Sequence, residues 1–384
     1  MSHPLDGMRV LDLTRLLPGA VCTMLLVDLG ADVIKIEDPD QGDYARWLSP
    51  KIDDSSVFFR MNNRGKRSLI LNLKATLGKD VLKRLAAGSD VLVESFRPGV
   101  MARLGVDYDT LRTVNPHLIY CALSGWGTDG PRSQAANHDL NYVSTVGIPG
   151  AMATPQVLGA QVADIGGAYA AVAGILAALL RRERSGKGAF VDTSLAESAL
   201  PFALYPWVEA LMQQGTSGGD GVLTGGQACY RIYGVRDGQS VALAALESKF
   251  WTNFCNAIGR PDLIEGYLQP ARQPELIQTL DDLFVQKTAA EWAALLEPAD
   301  CCFTVVKAPA EVANDPQFQA RGMLGTFDDG TPWMRSPLRL SESEVNVENR
   351  IPGYGDHTRA VLAEYGYTES EIDVLAAARA VGKL

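Results

Sequence analysis

The chain has 384 residues, of which 47% are hydrophobic and 21% charged, and its formal net charge is −10. This length and composition suffice for a large buried core and more than one domain, and they exclude wholesale disorder. A general nucleic-acid-binding protein would carry a basic surface, so the acidic balance argues against that class. A polyanionic small ligand stays compatible with this charge if the protein has a local basic patch.

Cysteine usage and the distribution of apolar residues indicate the compartment. Six cysteines lie at positions 22, 121, 229, 255, 301 and 302, without a C-x-x-C pair or disulfide-framework spacing. We therefore expect reduced core cysteines in a cytoplasmic protein. The first seven residues have no apolar signal core. The longest apolar stretch, 168–180, is short for a membrane span, so we predict a buried helix and no membrane association.

The N-terminal region has the pattern of a β-α-β unit. Met8–Leu13 predicts a strand, a helix follows from Pro18 to Leu29, and Asp32–Glu37 predicts a second strand. The turn between the first strand and the helix, 14–19, lacks G-x-G-x-x-G. The unit therefore does not predict a nicotinamide-dinucleotide site.

Strands and helices continue to alternate up to about residue 200. Further strands are predicted at 68–73, 90–94, 117–123 and 189–192, and helices at 78–87, 108–114 and 160–182. This rhythm indicates an α/β domain with a mainly parallel sheet. Ser194 is predicted to cap the helix that follows the last of these strands.

The composition changes at Gln213–Gly226, a glycine-rich segment typical of a linker or mobile loop. Beyond it, Tyr230–Tyr233 and Ser240–Ala244 predict a hairpin, and three helices are predicted at 248–258, 274–286 and 289–296. These elements indicate a second, smaller α+β domain. An extended segment at Trp333–Ser341 and a helix at Asp356–Tyr365, capped by its aspartate, follow.

Three residues are candidates for acid–base or nucleophilic chemistry. Of the four histidines, only His138 lies in a polar connection rich in functional groups, Asn137–Tyr142, although such a loop histidine can also be structural. Asp164 lies at the start of an apolar helix beside the glycine pair 166–167, which would let a ligand approach the backbone. A carboxylate there can equally be a helix cap. Glu247 lies between a predicted strand and a predicted helix, where its carboxylate could likewise be only a helix-start residue.

Basic residues in the first 135 positions form the predicted anion-binding patch, with Asn63–Arg67 as its densest cluster: Lys35, Arg64, Lys66, Arg67, Lys74, Arg97, Arg103 and Arg132. Such clusters are also commonly only solvated surface. The sequence has no P-loop and no G-x-S-x-G, and no set of His, Cys and acidic residues has metal-ligand spacing, so no metal site is predicted. These patterns alone indicate an α/β enzyme without defining its reaction.

Seven blocks of the sequence, taken together, are typical of one protein superfamily, although none of them is specific alone. They are Leu29–Glu37, Gly65–Ser68, Leu71–Lys74, Glu94–Gly99, Ser124–Gly127, Gly130–Pro131 and Ser185–Gly188. In these blocks the sequence resembles the class III coenzyme A (CoA) transferase (CaiB/BaiF) superfamily, and within it the α-methylacyl-CoA racemase branch. The resemblance implies an interlocked homodimer with the active site between the large domain of one subunit and the small domain of the other. It implies a large Rossmann-like domain at 1–200, a linker and glycine loop at 201–226, a small α+β domain at 227–325, and a return linker with a C-terminal helix at 326–384.

The resemblance also gives the candidate residues roles. Asp164 matches the aspartate shared by transferases and racemases, His138 matches the racemase histidine motif, and Glu247 matches the racemase glutamate of the small domain. Implied contacts to CoA carry over to Leu71, Asn72, Leu73, Lys74, Ser95, Phe96, Arg97, Arg103, Asn137, Asp139 and Tyr142. CoA is then part of the substrate, and no other cofactor is expected.

The sequence departs from the racemase pattern at four places, of which Ser49–Asn63, more similar to general family transferases, and Ala228–Cys229, after the glycine loop, are two. Where racemases often have arginine before a proline, this chain has Asp38, so a basic contact to the nucleotide end is lost or is replaced by Lys35 or Arg67. The connection from His138 to Asp164 is a few residues shorter than in racemases, and it borders the expected acyl pocket.

Two reactions follow from the resemblance. The leading hypothesis is racemisation of a 2-methylacyl-CoA thioester by 1,1-proton transfer, with His138, paired with Glu247, serving one face and Asp164 the other. The alternative is CoA transfer between an acyl-CoA and a carboxylic acid, with Asp164 as the nucleophile of an anhydride and then a thioester intermediate. A non-catalytic CoA-binding protein is the third class, and the presence of all three candidate residues argues against it.

Overall fold

A computed structural model describes residues 3–213, 218–343 and 347–382. Its strands are β1 (Arg9–Leu13), β2 (Asp32–Glu37), β3 (Lys51–Ile52), β4 (Ser55–Ser56), β5 (Arg67–Ile70), β6 (Val91–Glu94), β7 (Ile119–Ser124), β8 (Ala189–Ser194), β9 (Tyr230–Gly234), β10 (Ser240–Ala244), β11 (Phe303–Val305), β12 (Leu324–Thr326) and β13 (Pro332–Met334). Its α-helices are α1 (Leu16–Asp28), α2 (Val57–Asn63), α3 (Thr76–Ala87), α4 (Val100–Leu104), α5 (Tyr108–Val114), α6 (Asp139–Thr145), α7 (Val162–Ser185), α8 (Leu195–Ala199), α9 (Leu204–Gln213), α10 (Ser248–Ala257), α11 (Gln273–Phe284), α12 (Ala289–Leu296), α13 (Pro316–Ala320), α14 (Thr358–Glu364) and α15 (Glu369–Ala377).

The chain folds into two compact units. Unit 1 takes its described residues from the ranges Met1–Tyr142, Ala160–Ala199 and Ala313–Leu384, and unit 2 from Val143–Gly159 and Leu200–Val312. The domain boundaries at residues 200, 226 and 325 that the resemblance implied stay a prediction.

The centre of unit 1 is a six-stranded sheet in the order β5-β2-β1-β6-β7-β8, and all of its strand pairs are parallel. The predicted parallel sheet is thereby confirmed. Its inner strands are buried along nearly their whole length because helices cover both faces. Along the chain, β2 and then β5 are added on one side of β1, and β6, β7 and β8 follow on its other side. Such a switch point leaves a crevice at the carboxyl ends of β1 and β6, where α/β proteins bind ligands.

Helix α7 supplies much of one covering layer, packing against α1, α8, β7 and β8. Within the described residues it is the single helix whose length and mean hydropathy of 1.8 would allow a membrane span. Its buried face is made of small and apolar residues: Ala163, Gly167, Ala168, Ala171, Val172, Ile175, Ala178 and Leu179. Packing in the core of unit 1 thus accounts for the apolar composition of this helix.

Edge strand β5 is covered by residues from the C-terminal region. The Ile70 amide donates to Thr358 Oγ1 at 3.2 Å, and Leu71 bridges to Val381. The helix predicted from Asp356 begins at Thr358, and its N-cap residue is His357, without a side-chain cap. The prediction of an Asp356 cap is wrong because a turn, closed by the Thr358 amide on the Gly355 carbonyl at 2.9 Å, precedes the helix.

Unit 2 contains a three-stranded antiparallel sheet in the order β11-β10-β9, which confirms the predicted hairpin. Helices α10, α11 and α12 pack on it and confirm the three predicted helices. The Trp292 indole donates to the Phe284 carbonyl at 2.8 Å and the Trp251 indole to the Leu263 carbonyl at 3.2 Å. Both tryptophans are therefore satisfied core residues.

The cysteines are free thiols, and five of the six are buried, as expected for core cysteines. Cys302 is exposed, in a turn where its φ is +53°, so the expectation of a core position is wrong there.

Candidate active site

Asp164 lies inside the first turn of α7, in unit 1, where a helix begins after the connection that follows α6. The N-cap residue of α7 is Gln161, so Asp164 is not the cap that one reading of the sequence allowed. Its own amide donates to Asp139 Oδ1 at 3.0 Å, and its side chain is half-buried. The structure thus brings two carboxylates, from α6 and α7, to one place.

Burial raises the pKa of Asp164 to about 6, the negative charge of Asp139 adds to this, and the nearby His138 opposes it. A carboxyl group with such a pKa populates both its protonated and its ionised form near neutral pH. Groups of this kind suit general acid–base catalysis, because the pKa lies close to the operating pH.

His138 directly precedes α6 and is exposed. Its backbone amide donates to Asn141 Oδ1 at 3.1 Å, and its carbonyl accepts from the Asn141 amide at 2.8 Å. These paired bonds fix the backbone at the start of the helix. The structure places both His138 and Asp139 near Asp164, and their catalytic roles stay a prediction.

Tyr142 anchors the Asn137–Tyr142 loop. Its ring packs edge-on against Trp126 with centroids 5.2 Å apart, and its hydroxyl donates to the Asn137 carbonyl at 3.1 Å. A side chain at Gly125 would overlap this hydroxyl, so the close approach requires glycine. Burial, together with Asp164, raises the pKa of Tyr142, which keeps the hydroxyl protonated and able to donate.

Gly167, one of the glycine pair 166–167, has a packing role. Gly167 is buried, and a Cβ there would overlap the Leu195 side chain. This glycine admits the neighbouring helix α8, and the approach of a ligand to the glycine pair stays a prediction.

Glu247 belongs to unit 2, where it is the N-cap residue of α10. Its carbonyl accepts from the Trp251 amide at 3.1 Å, but its carboxylate forms no capping bond and is exposed. A structural capping role for the side chain is therefore not observed. The meeting of Glu247 with His138 and Asp164 stays a prediction.

The implied CoA residues gather at the carboxyl end of the sheet of unit 1. A cavity of about 360 Å³ lies there, and its wall includes five of them: Leu71, Asn72, Leu73, Lys74 and Phe96. Ser95 Oγ accepts from the Arg15 amide at 3.3 Å, next to this wall. Arg97 and Arg103 are exposed nearby, in the turn after β6 and in α4.

Sequence reasoning missed Arg15, whose guanidinium belongs to the same wall. It lies in the turn after β1, and β1 is the strand from which the parallel sheet grows in both directions. The position of that turn was the available signal, since ligands of parallel sheets bind beyond such strand ends.

Half of the predicted basic patch, including its densest cluster, is buried or paired inside the protein. Lys35, Arg64 and Lys66 are completely buried, and Arg67 pairs with Asp32 at 2.6 Å. Lys66 lies 3.0 Å from Asp12, and the Arg64 guanidinium holds Asp28 through bonds of 2.6 and 2.9 Å. Lys35 and Arg67 therefore cannot replace a lost nucleotide contact, and this prediction is wrong.

Asp12, Asp43, Lys35 and Lys66 form a buried charge network. Burial lowers the pKa of Lys66 to about 8, against the attraction of Asp12. Although burial alone would raise it, Lys35 and Lys66 hold the pKa of Asp12 well below its usual range. Lys35 also bonds the Thr14 carbonyl at 3.1 Å and lies 2.8 Å from Asp43. The network thereby stabilises the turn that carries Arg15.

We expect Asp164 to make stability pH-dependent. Because folding raises its pKa from the usual 3.8 to about 6, the folded protein holds this proton more tightly than the unfolded chain. Its contribution to the free energy of unfolding therefore falls as pH rises from about 4 to about 6, and is constant above that. Relative to wild type, Asp164→Asn should gain melting temperature across this window. A pH-independent difference would contradict the prediction, and the exposed Glu197→Gln in α8 is the control.

Comparisons with known proteins point to one family. The model described as CoA-transferase family III matches residues 5–358. The chain is 33% identical over 376 residues to "Alpha-methylacyl-CoA racemase" of Homo sapiens, covering 96% of this chain and 95% of the relative. It is 30% identical over 376 residues to "Succinyl-CoA:glutarate CoA-transferase" of Homo sapiens, covering 94% and 86%. The solved structure of a CAIB/BAIF family protein from Brucella suis superposes with a TM-score of 0.83 at 30% identity, covering 95% of this chain and all of the other.

Proposed function

Because the chain belongs to CoA-transferase family III, we propose that it acts on acyl-CoA thioesters, and that its reaction is racemisation of a 2-methylacyl-CoA by 1,1-proton transfer. The observation that carries this proposal is the Asp164 carboxyl group, whose burial raises its pKa to about 6 beside His138. The match to racemases over almost the whole chain supports it.

The chemistry requires two proton carriers. A thioester acidifies the neighbouring carbon only weakly, so a base must remove the proton while donors stabilise the enolate oxygen. Loss of configuration then requires an acid on the opposite face. In the proposed mechanism His138 serves one face and Asp164 the other, and each alternates between base and acid according to the enantiomer bound.

The remaining residues have supporting roles in the proposal. Glu247, from unit 2, assists His138, and the residues around the cavity of unit 1 bind CoA through Leu71–Lys74, Ser95–Arg97 and Arg103. Asn137, Asp139 and Tyr142 position the loop that carries His138. Neither proton transfer nor CoA transfer requires a metal or redox group, so CoA is proposed as the single bound nucleotide, as part of the substrate.

Solvent exchange tests the proposed reaction. 2-Methylacyl-CoA thioesters of several chain lengths are incubated with the protein in D₂O, and mass spectrometry and chiral chromatography follow the α-carbon. We expect one deuterium at this carbon together with interconversion of the enantiomers. Binding of CoA without exchange in any member of the panel would refute racemisation while leaving the acyl-CoA class intact.

CoA transfer is the second candidate, favoured by the similar identity to CoA-transferases. There the Asp164 carboxylate attacks the thioester carbonyl, CoA leaves as a thiolate, and an acyl-aspartyl anhydride forms. The thiolate then attacks the aspartyl carbonyl, which releases the first acid and leaves a thioester. An acceptor carboxylate attacks that thioester next, giving a new anhydride from which the thiolate takes the acceptor acyl group. Hydroxylamine added with an acyl-CoA would convert Asp164 to a hydroxamate that mass spectrometry detects only for this route.

We also propose that the protein is a homodimer. Large apolar side chains are exposed on unit 2 around α9: Leu200, Phe202, Leu204, Tyr205, Trp207, Val208, Leu211 and Met212. A patch of this kind usually marks an interface. Light scattering should give twice the mass of the chain, and Leu204→Glu combined with Leu211→Glu should give the monomer mass. The exposed Val285→Glu, elsewhere in unit 2, should leave the dimer intact, and a monomeric wild type would refute the proposal.

A further inference from the structure

The cavity of about 360 Å³ at the carboxyl end of the sheet of unit 1 has an unusual charge arrangement. Two cationic side chains, Arg15 and Lys74, belong to its wall together with the acidic turn Glu37–Asp40. A site built for a phosphate would present such cations, and backbone amides, without competing carboxylates.

Asp38 occupies the position that an anion would take. Its Oδ2 pairs with the guanidinium of Arg15, and its Oδ1 accepts from the amides of Asp40 and Gln41 at 2.9 and 3.1 Å. A guanidinium and two neighbouring amides form a typical set of donors for a phosphate. Here the protein's own carboxylate uses all three.

Both members of this pair are held in place. The Arg15 guanidinium lies near the rings of Tyr44 and Phe96, 5.0 and 5.8 Å from their centroids, and donates to the Tyr44 hydroxyl at 2.7 Å. The Asp38 carbonyl accepts from the Tyr354 hydroxyl. The side chains of Arg15 and Asp38 are each about one-third exposed, 31% and 29%, so the pair faces the cavity as well as the protein.

The other charged groups of the wall are paired too. Lys74 lies 3.7 Å from Asp40, and Glu37 is bonded to buried Arg46 at 2.7 Å and to Ser68 at 2.6 Å. Among the described residues of the wall, each cation thus has a carboxylate partner from the same turn. An entering phosphate, which carries close to two negative charges, would meet the carboxylates of Asp38 and Asp40 beside the two cations.

We propose that this cavity takes the adenosine end of the CoA substrate without a strong ion pair to its 3′-phosphate. Dephospho-CoA, which lacks only that phosphate, then binds nearly as well as CoA. The inference rests on the proposed function and names a specificity determinant for it: Asp38 keeps Arg15 from the phosphate.

Calorimetric titration of the full chain with CoA and with dephospho-CoA tests the inference. We expect the two dissociation constants of the wild type to differ by less than about fivefold. Asp38→Asn keeps an oxygen for the Asp40 and Gln41 amides but releases Arg15 from its ion pair. The preference of this variant for CoA should rise about tenfold. Asp109→Asn, which removes the same charge from an exposed pair with Arg112, should leave the ratio unchanged.

Two results would overturn the inference while leaving the proposed function intact. One is a wild type that prefers CoA by more than about fivefold, and the other is an Asp38→Asn variant with the wild-type ratio. Failure of the wild type to bind either nucleotide would instead refute the proposed function, and the inference with it.

Discussion

Asp164→Asn should reduce racemisation of a 2-methylacyl-CoA about thousandfold, because removing a general acid–base group typically costs 10²- to 10⁴-fold. The variant should also separate racemisation from deuterium exchange at the α-carbon. If His138 is the second base, it can still remove and return the α-proton of one enantiomer in this variant. That enantiomer should then keep incorporating deuterium without inverting. The other enantiomer, whose proton Asp164 removes in the proposed mechanism, should lose exchange. In His138→Gln, the opposite enantiomer should keep exchanging and the first should lose exchange.

This pair of variants separates the two candidate reactions. If Asp164 is a nucleophile and His138 only positions the substrate, Asp164→Asn abolishes CoA transfer while neither variant shows exchange with one enantiomer alone. Equal loss of exchange from both enantiomers in Asp164→Asn would contradict the two-base mechanism. Glu197→Gln, a carboxylate in the first turn of α8 in the same unit, should retain wild-type activity.

Arg64→Met should destabilise the protein by about 3–5 kcal/mol, because it leaves the carboxylate of Asp28 buried without its partner. Both side chains are inaccessible to solvent, and two bonds of 2.6 and 2.9 Å join them. Arg64 also donates to the Met334 carbonyl at 3.1 Å, so the change removes a bond to β13 as well. Denaturant unfolding, followed by tryptophan fluorescence, measures the loss.

The exposed pair Arg112–Asp109 provides the matched control, since Arg112→Met should cost no more than about 1 kcal/mol. Replacing both partners, Asp28→Leu with Arg64→Met, should recover much of the loss because no charge is then left buried. A single variant as stable as the control would show that Asp28 gains solvent or another partner.

Much of the fold could be predicted from local patterns. The strand predicted at Asp32–Glu37 and the helix at Tyr108–Val114 have the observed bounds. Parallel strands that are covered on both faces are apolar along their whole length, whereas the apolar residues of the intervening helices recur with the helical period. The alternation of strands and helices is therefore visible in the sequence. Element ends were less exact where tertiary contacts decide them, as at α14, which begins at Thr358.

The basic residues show what local patterns cannot give. A run such as Asn63–Arg67 shows where charges lie in sequence, but not which carboxylates they meet. Arg64 pairs with Asp28, 36 positions away, and Lys66 with Asp12, 54 positions away. Only the packed sheet brings these partners together, so a cluster that suggested a surface patch became part of the interior.

The candidate site was only partly predictable, because some of its contacts also join residues that are far apart in the sequence. His138 and Asp164 were identified, and the structure adds Asp139, whose carboxylate holds the Asp164 amide 25 positions away. Arg15 was not predicted as a site residue because a single arginine in a turn forms no recognisable sequence motif. Its importance follows from the cavity wall and from the partner Asp38, which the sequence marked only as a departure from the racemase pattern.

The cover over β5 has a consequence for synthesis on the ribosome. The amides of Ser68, Ile70 and Asn72 are bonded by His357, Thr358 and Ala380, close to 300 residues later in the chain. During translation the edge of the sheet therefore stays open until these residues emerge, long after β8 has been made. An open strand edge is a template for pairing with other chains. Until residues 357–380 dock on β5, the edge of the nascent sheet thus stays exposed to pairing with other chains.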